Sequence, residues 1–375
     1  MPRKPYLPQR DGAFICDTVK VMNIFFDARW TRIGVHDGIS RYTANLLGAL
    51  AKIHPVTMII HDERQLELLP EGIPYVVLGN PMSALELFTP RKLNRLGADV
   101  VFSPMQIMGT WRRSYKLIFT LHDVIYYQFP TPPQQLPITA RITWRLFHMA
   151  KWPQRWLLNQ ADFVATVSHT SKKLISAMHL TDRKIGVVYN APSLKPMKSS
   201  GEFKKELIYV GSFMPYKNVE LLLKAMNLLP GYKLHLVSRI TPSRRIELER
   251  LVDNHRQVVF WNGASDAQYN KLLRTSLALV SASKAEGFGL PLLEAMAQGA
   301  PVIATNMPIF HEVCAQAGTY FNSDSPESFV EAVHKLEDPQ YRKEMIERGD
   351  IQAVKFTWDD SAAQLLKIIT QLVKE

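Results

Sequence analysis

A chain of 375 residues with a hydrophobic fraction of 46% suffices for two domains of ordinary size and is too apolar for a disordered protein. Its two cysteines, Cys16 and Cys314, stand far apart without partners at metal-ligand spacing, which argues against a disulfide scaffold or zinc site and suits a reducing compartment. The net charge of +11 is one-sided, since residues 1–195 hold 24 Lys and Arg against 13 Asp and Glu, while residues 196–375 hold 21 of each.

That surplus implies an anionic partner for the first half, or else is a solubility surplus with no partner. No window of about 18 apolar residues marks a spanning helix. Residues 1–20 lack the apolar stretch and cleavage site of a signal peptide and read as a loosely ordered leader.

From residue 21 onward, short β-rich runs alternate with helical patterns. The first half gives strands at 21–28, 56–60, 98–103, 116–123, 162–168 and 185–190. A helix over 39–53 carries Ile39, Tyr42, Leu46, Leu47 and Leu50 on one face. A turn-rich linker at 191–202 interrupts the pattern. Strands then return at 206–211, 233–238, 257–261, 277–283 and 301–305, with helices between them. The last segment, 357–375, is an amphipathic helix with a capping-type start at Thr357 or Asp359. The reading is α/β: an N-terminal domain over 21–192, a C-terminal domain over 203–356, and a terminal helix. Ligands of such parallel sheets bind beyond the carboxyl ends of the strands.

Five segments carry chemistry. In 281–305 a strand runs into Glu286-Gly287-Phe288-Gly289, and a helix opens at Leu290-Pro291 and ends at Gly299. Glycines let the backbone approach a ligand, and helix-start amides suit an anion. Glu294 is expected in the first helical turn, where a carboxylate can take both hydroxyls of a ribose. In 209–225 Lys217 is a point charge at a helix start. In 258–276 Asn262 and Gly263 fall in a strand-end loop, and Trp261 either stacks on a base or is simply packed. Gly38 and Arg41 open the first long helix. His122 and Asp123 close the strand 116–123.

The run E-G-F-G-L-P-x-x-E-A-M-A-x-G-x-P-V-I-A over 286–304 resembles the E-x7-E segment of glycosyltransferase family 4. Residues 209–225, 258–276, 29–50 and 119–130 resemble that family's other conserved segments. The resemblance implies the GT-B fold: two Rossmann-like domains facing across a cleft, with the C-terminal helix crossing back to the N-terminal domain. It implies a retaining, metal-independent transferase with no cofactor beyond its nucleotide-sugar donor. Glu286 would contact the donor sugar, and the amides of Gly287, Phe288, Gly289 and Leu290 would hold sugar and diphosphate. Glu294 would bind the ribose, Lys217 the pyrophosphate, and the backbone at Asn262 and Gly263 would lie beside the base. Gly38 would pass the donor phosphates and acceptor. Arg41 faces a phosphate or is a surface arginine. His122 would hydrogen-bond a sugar hydroxyl.

The chain departs from the family at two places. Ser212 stands where many members have a phosphate-binding Arg, and a hydroxyl cannot replace a guanidinium; Arg239 is the candidate for the missing charge. Asp37-Gly38 replaces the usual glycine pair. Segments of the chain resemble bacterial mannosyltransferases of O-antigen and exopolysaccharide assembly, which points to GDP-mannose, with another UDP-sugar transfer or a GT-B epimerase as alternatives. Residues 138–161 interleave Arg141, Arg145, Lys151 and Arg155 with Trp144, Phe147, Trp152 and Trp156. They read either as a membrane-interface segment or as a packed helix with a basic outer face. The expectation is a cytoplasmic enzyme, peripheral on an anionic membrane, acting on a lipid-linked or polysaccharide acceptor. No nucleic-acid-binding signature supports the alternative of a nucleic-acid partner.

Overall fold

A computed structural model of the chain describes residues 22–34, 37–132, 137–193 and 203–375. The leader, Cys16 and most of the 191–202 linker lie outside the described residues. The chain divides into two compact units, Met1–Asn190 with Trp358–Glu375, and Ala191–Thr357.

In the first unit, β1 (Ile24–Asp27), β2 (Val56–Ile60), β3 (Tyr75–Val77), β4 (Val100–Ser103), β5 (Lys116–Thr120), β6 (Phe163–Thr166) and β7 (Ile185–Val187) pair in parallel. Their order is β3-β2-β1-β4-β5-β6-β7. Phe26 stands opposite Met58 on one side and Phe102 on the other, and all three are buried. A parallel sheet covered on both faces needs such continuous apolar strands. The helices are α1 (Gly38–Ile53), α2 (Thr89–Arg95), α3 (Ile125–Gln128), α4 (Ile138–Met149), α5 (Trp152–Leu158) and α6 (His169–Ala177).

In the second unit, β8 (Lys204–Tyr209), β9 (Lys233–Leu236), β10 (Val258–Phe260), β11 (Ser276–Ser281), β12 (Val302–Thr305) and β13 (Gly318–Phe321) run in the order β10-β9-β8-β11-β12-β13. Its helices are α7 (Val219–Met226), α8 (Pro242–Glu249), α9 (Asp266–Thr275), α10 (Leu290–Ala297), α11 (Pro308–Cys314), α12 (Pro326–Lys335) and α13 (Pro339–Ala353). Counted within the unit, the strand order is 3-2-1-4-5-6, the doubly wound arrangement. Leu207, Leu222, Leu234, Val280, Ile303 and Phe329 anchor its buried core.

The last helix, α14 (Trp358–Lys374), belongs to the first unit. It packs on α1 and buries Leu365, Ile368, Ile369 and Leu372, each contributing roughly 1.5–3 kcal/mol. Ser361 Oγ donates to the carbonyl of Tyr189 at 2.8 Å. At Gly186 a Cβ would lie 2.9 Å from Ile368 Cδ1 and 2.8 Å from the Phe163 ring, so a larger residue there would force both side chains to shift.

Two strands escaped the sequence pattern, Tyr75–Val77 and Gly318–Phe321. The stretch 138–161 is broken at Ala150-Lys151 into α4 and α5, with Pro153 in the first turn of α5 where its missing N–H is harmless.

Candidate active site

In a doubly wound sheet the crevice opens where the strand order reverses, which in the second unit is between β8 and β11. The loops leaving these two strands bring Lys217 and Glu286 together. Lys217 closes a short 3-10 turn, Pro215–Lys217, and Asn218 follows it in the left-handed region at φ 52°. The Asn218 amide donates to the Ser323 carbonyl at 2.8 Å, fixing that unusual backbone. The Lys217 ammonium donates to Glu286 Oε1. Ser283 Oγ donates to the same oxygen at 3.0 Å, and the Ser283 carbonyl accepts from Thr305 Oγ1 at 2.6 Å. The backbone N–H of Lys284 bonds the Tyr216 carbonyl at 2.7 Å, which stitches the two loops directly. Sequence reading missed Ser283 and Thr305; a hydroxyl three residues before the carboxylate was the available signal.

Beyond Glu286 the chain enters α10 through Gly289 at φ 95°. A Cβ there would sit 3.0 Å from the Phe310 ring, so both conformation and space demand glycine. Phe288 is buried against Phe356, with ring centres 5.6 Å apart. Leu290 and Pro291 open the helix. Because the helix starts at Leu290, Glu294 lies in its second turn rather than the first; it is 5% exposed. The far end closes in a Schellman arrangement, Ala300 N–H to Ala295 O at 2.9 Å and Gly299 N–H to Met296 O at 3.0 Å. Gly299 is left-handed at φ 68°.

Ser212 is exposed on the loop after β8, and its carbonyl accepts from the Tyr209 hydroxyl at 2.5 Å. The guanidinium that touches this loop is Arg244, whose Nε donates to the Phe213 carbonyl at 3.3 Å. Arg244 also pairs with Glu220 and Glu247. It sits in the first turn of α8, which Thr241 caps. Arg239 is exposed and its side chain crosses Gly263, whose added Cβ would lie 3.0 Å from Arg239 Cγ. Gly263 is left-handed at φ 101° and Asn262 at φ 54°, with Asn262 Oδ1 accepting from the Ile240 N–H at 3.1 Å. Trp261 is packed: its indole N–H donates to His235 Nδ1 at 3.1 Å.

In the first unit Asp37 caps α1, accepting from Ser40 N–H at 2.9 Å and pairing with Arg32 at 2.9 Å. Gly38 is the first residue of α1, with open space where a Cβ would stand. The non-glycine at 37 thus serves as the helix cap. The Arg41 N–H bonds the Asp37 carbonyl at 2.9 Å. His122 follows β5, and its Nε2 lies 2.8 Å from the Pro104 carbonyl after β4. A carbonyl only accepts, so Nε2 carries the proton and Nδ1 of the neutral ring is an acceptor. Burial holds the imidazole pKa below its ordinary value, partly offset by that hydrogen bond. Tyr42 packs edge-on against His122 at 5.0 Å and against Trp358 of α14 at 5.9 Å. Asp123 accepts from Ile125 N–H at 3.0 Å at the start of α3.

No helix among the described residues is long and apolar enough to cross a membrane. No group of three or more His, Cys, Asp or Glu side chains among them is placed to hold a metal ion.

Two parallel-sheet Rossmann-like units of this order define the GT-B architecture of glycosyltransferases. The chain belongs to glycosyltransferase family 4: the Glycosyltransferase Family 4 model matches residues 36–194 and the Glycosyl transferases group 1 model matches residues 194–352. The chain is 32% identical over 319 residues to the O-antigen chain mannosyltransferase RfbU of Salmonella typhimurium, covering 80% of this chain and 87% of that protein. Among solved structures it resembles HepE of Anabaena in complex with UDP-glucose, with a TM-score of 0.71 at 15% identity, over 93% of this chain and 100% of that one. It also resembles sucrose-phosphate synthase of Thermosynechococcus elongatus, with a TM-score of 0.68 at 18% identity, over 94% of this chain and 99% of that one.

Proposed function

We propose that this glycosyltransferase moves a mannosyl group from GDP-mannose, with retention of anomeric configuration and without a bound metal, to a lipid-linked or polysaccharide acceptor in envelope glycan synthesis. The observation that carries this reading is the meeting of Lys217 with Glu286 at the β8/β11 switch point, at the mouth of a helix start. The mannosyl assignment is supported by the likeness to RfbU over most of both chains.

In this account Lys217 takes the diphosphate as a point charge, together with the amides of Gly287, Phe288, Gly289 and Leu290. Such donors, fixed before the ligand arrives, stabilise the charge that develops on the leaving nucleoside diphosphate. In this account the Lys217–Glu286 ion pair is exchanged on donor binding: the diphosphate takes Lys217, and the sugar hydroxyls take Glu286. Ser283 keeps the carboxylate in place through that exchange. Glu294 receives the ribose hydroxyls, and the Asn262-Gly263 backbone flanks the base. His122 offers Nδ1 as an acceptor to a sugar hydroxyl. It is not assigned as the general base, because in this account the leaving phosphate takes the acceptor proton and the protein supplies position and charge stabilisation. The acceptor oxygen attacks from the face the diphosphate leaves, and a departing phosphate oxygen takes its proton.

The test is a thermal-shift screen with GDP, UDP, ADP and dTDP and their sugars. The nucleotide that binds raises the melting temperature by mass action. A shift with GDP and GDP-mannose alone is the expected result; a shift with UDP alone would move the assignment to a UDP-sugar, and no shift with any would overturn the donor site.

A further inference from the structure

The N-terminal unit carries an apolar stripe on α4 with no described residue covering it. Not one residue of α4 is buried. Trp144 and His148 fasten it on one side, stacked at 4.0 Å, with Tyr126 edge-on to Trp144 at 4.9 Å. On the opposite side Ile138, Ile142, Leu146 and Met149 are 75%, 56%, 62% and 79% exposed. Their spacing of four, four and three residues puts them in one stripe along the helix. The exposed apolar surface continues on α5, where Trp152 and Trp156, one turn apart, are 72% and 63% exposed.

Isolated exposed apolar residues are ordinary, but a continuous stripe ending in two exposed tryptophans is not. The charges around it decide what it meets. Residues 138–161 contain no Asp or Glu. Arg141 and Arg145 lie along one edge of the stripe, and Lys151 lies at the helix junction. Arg155 is engaged with Asp182 and the His179 carbonyl, whereas the other three have no ion pair among the described residues. A protein partner would have to cover an apolar ridge with acidic groups along its edge. An anionic bilayer supplies both at once: acyl chains for the stripe, headgroup phosphates for the arginines, and an interface for indoles.

We propose that α4 and the first turns of α5 lie in the interface of an anionic membrane, apolar stripe inward, and dock the N-terminal unit there. This is independent of the donor reading, since docking requires neither nucleotide nor acceptor.

The experiment is co-sedimentation of the full chain with vesicles of phosphatidylcholine alone and of equal parts phosphatidylcholine and phosphatidylglycerol. The chain should pellet with the anionic vesicles and stay in solution with the neutral ones, and added salt should weaken the association. The Ile142→Asp/Leu146→Asp variant should lose binding while keeping the parent melting temperature, since both side chains already face solvent. Arg141→Gln and Arg145→Gln should each lower vesicle affinity about five-fold. An Ile351→Asp/Val354→Asp variant removes exposed apolar residues of the second unit (64% and 63% exposed) and should bind as the parent does. Failure of the parent chain to pellet with anionic vesicles would overturn the proposal, as would equal binding by the Ile142→Asp/Leu146→Asp variant. Sedimentation velocity supplies a further refutation: a dimer that this variant dissolves would make the stripe a contact between two copies.

Discussion

Lys217 and Glu286, 69 residues apart in sequence, form an ion pair at the β8/β11 switch point, with side chains only 14% and 16% exposed. Two charges this shielded are costly to leave alone and easy to exchange for ligand charges of matching sign. Lys217→Met should lower kcat/KM for the nucleotide-sugar about 10²–10³-fold, the usual effect of losing one fixed donor to a developing charge. It should also lower stability by about 1 kcal/mol, discounted for the remaining exposure. Adding Glu286→Gln should restore part of that stability but none of the activity, as urea unfolding and transfer assays would show.

The two glutamates should separate by ligand. Glu294→Ala should weaken binding of nucleoside diphosphate and nucleotide-sugar alike, by about 10–100-fold for a lost charged acceptor. Glu286→Ala should bind free nucleoside diphosphate nearly as the parent does and fail in turnover. Titration calorimetry with both ligands decides it; equal losses of nucleotide affinity would mean the roles are assigned wrongly.

Gly289 meets two constraints, a φ of 95° and the Phe310 ring 3.0 Å from any added Cβ. Gly289→Ala should lower stability by about 1–3 kcal/mol. It should also weaken diphosphate binding, because the start of α10 must shift. Gly38→Ala, with open space at its Cβ, should leave stability nearly unchanged. Thermal melts of the pair test the contrast.

His122 is held below its ordinary pKa by burial. The unfolded chain therefore binds a proton that the folded chain resists, so stability falls as pH drops below the unfolded value of about 6.5 and levels off below the folded pKa. His122→Asn should flatten that acid limb while the parent keeps it. Unfolding midpoints measured from pH 8 downward give the comparison.

The doubly wound halves were legible because buried parallel strands leave apolar runs with helical patterns between them. Tyr75–Val77 and Gly318–Phe321 were not, because three or four residues with one or two aromatics carry too little pattern; they become strands by pairing with β2 and β12. The motif residues were legible one by one, but their partners were not. Nothing in the sequence says that Lys217 meets Glu286 or that Tyr42 bridges His122 to Trp358, since each contact depends on where separate loops and helices end. The guanidinium beside the Ser212 loop is another such case. Arg239 follows strand β9, and it is Arg244 that bonds the Phe213 carbonyl of this loop, because Thr241 starts α8 at that point.

The most direct measurement of the central claim is transfer of tritiated mannose from GDP-mannose into lipid-extractable product, with bacterial envelope membranes supplying the acceptor. The account predicts incorporation by the parent chain and background counts for Glu286→Ala. Label that stays water-soluble with the parent chain, while a UDP-sugar is incorporated in its place, would contradict it.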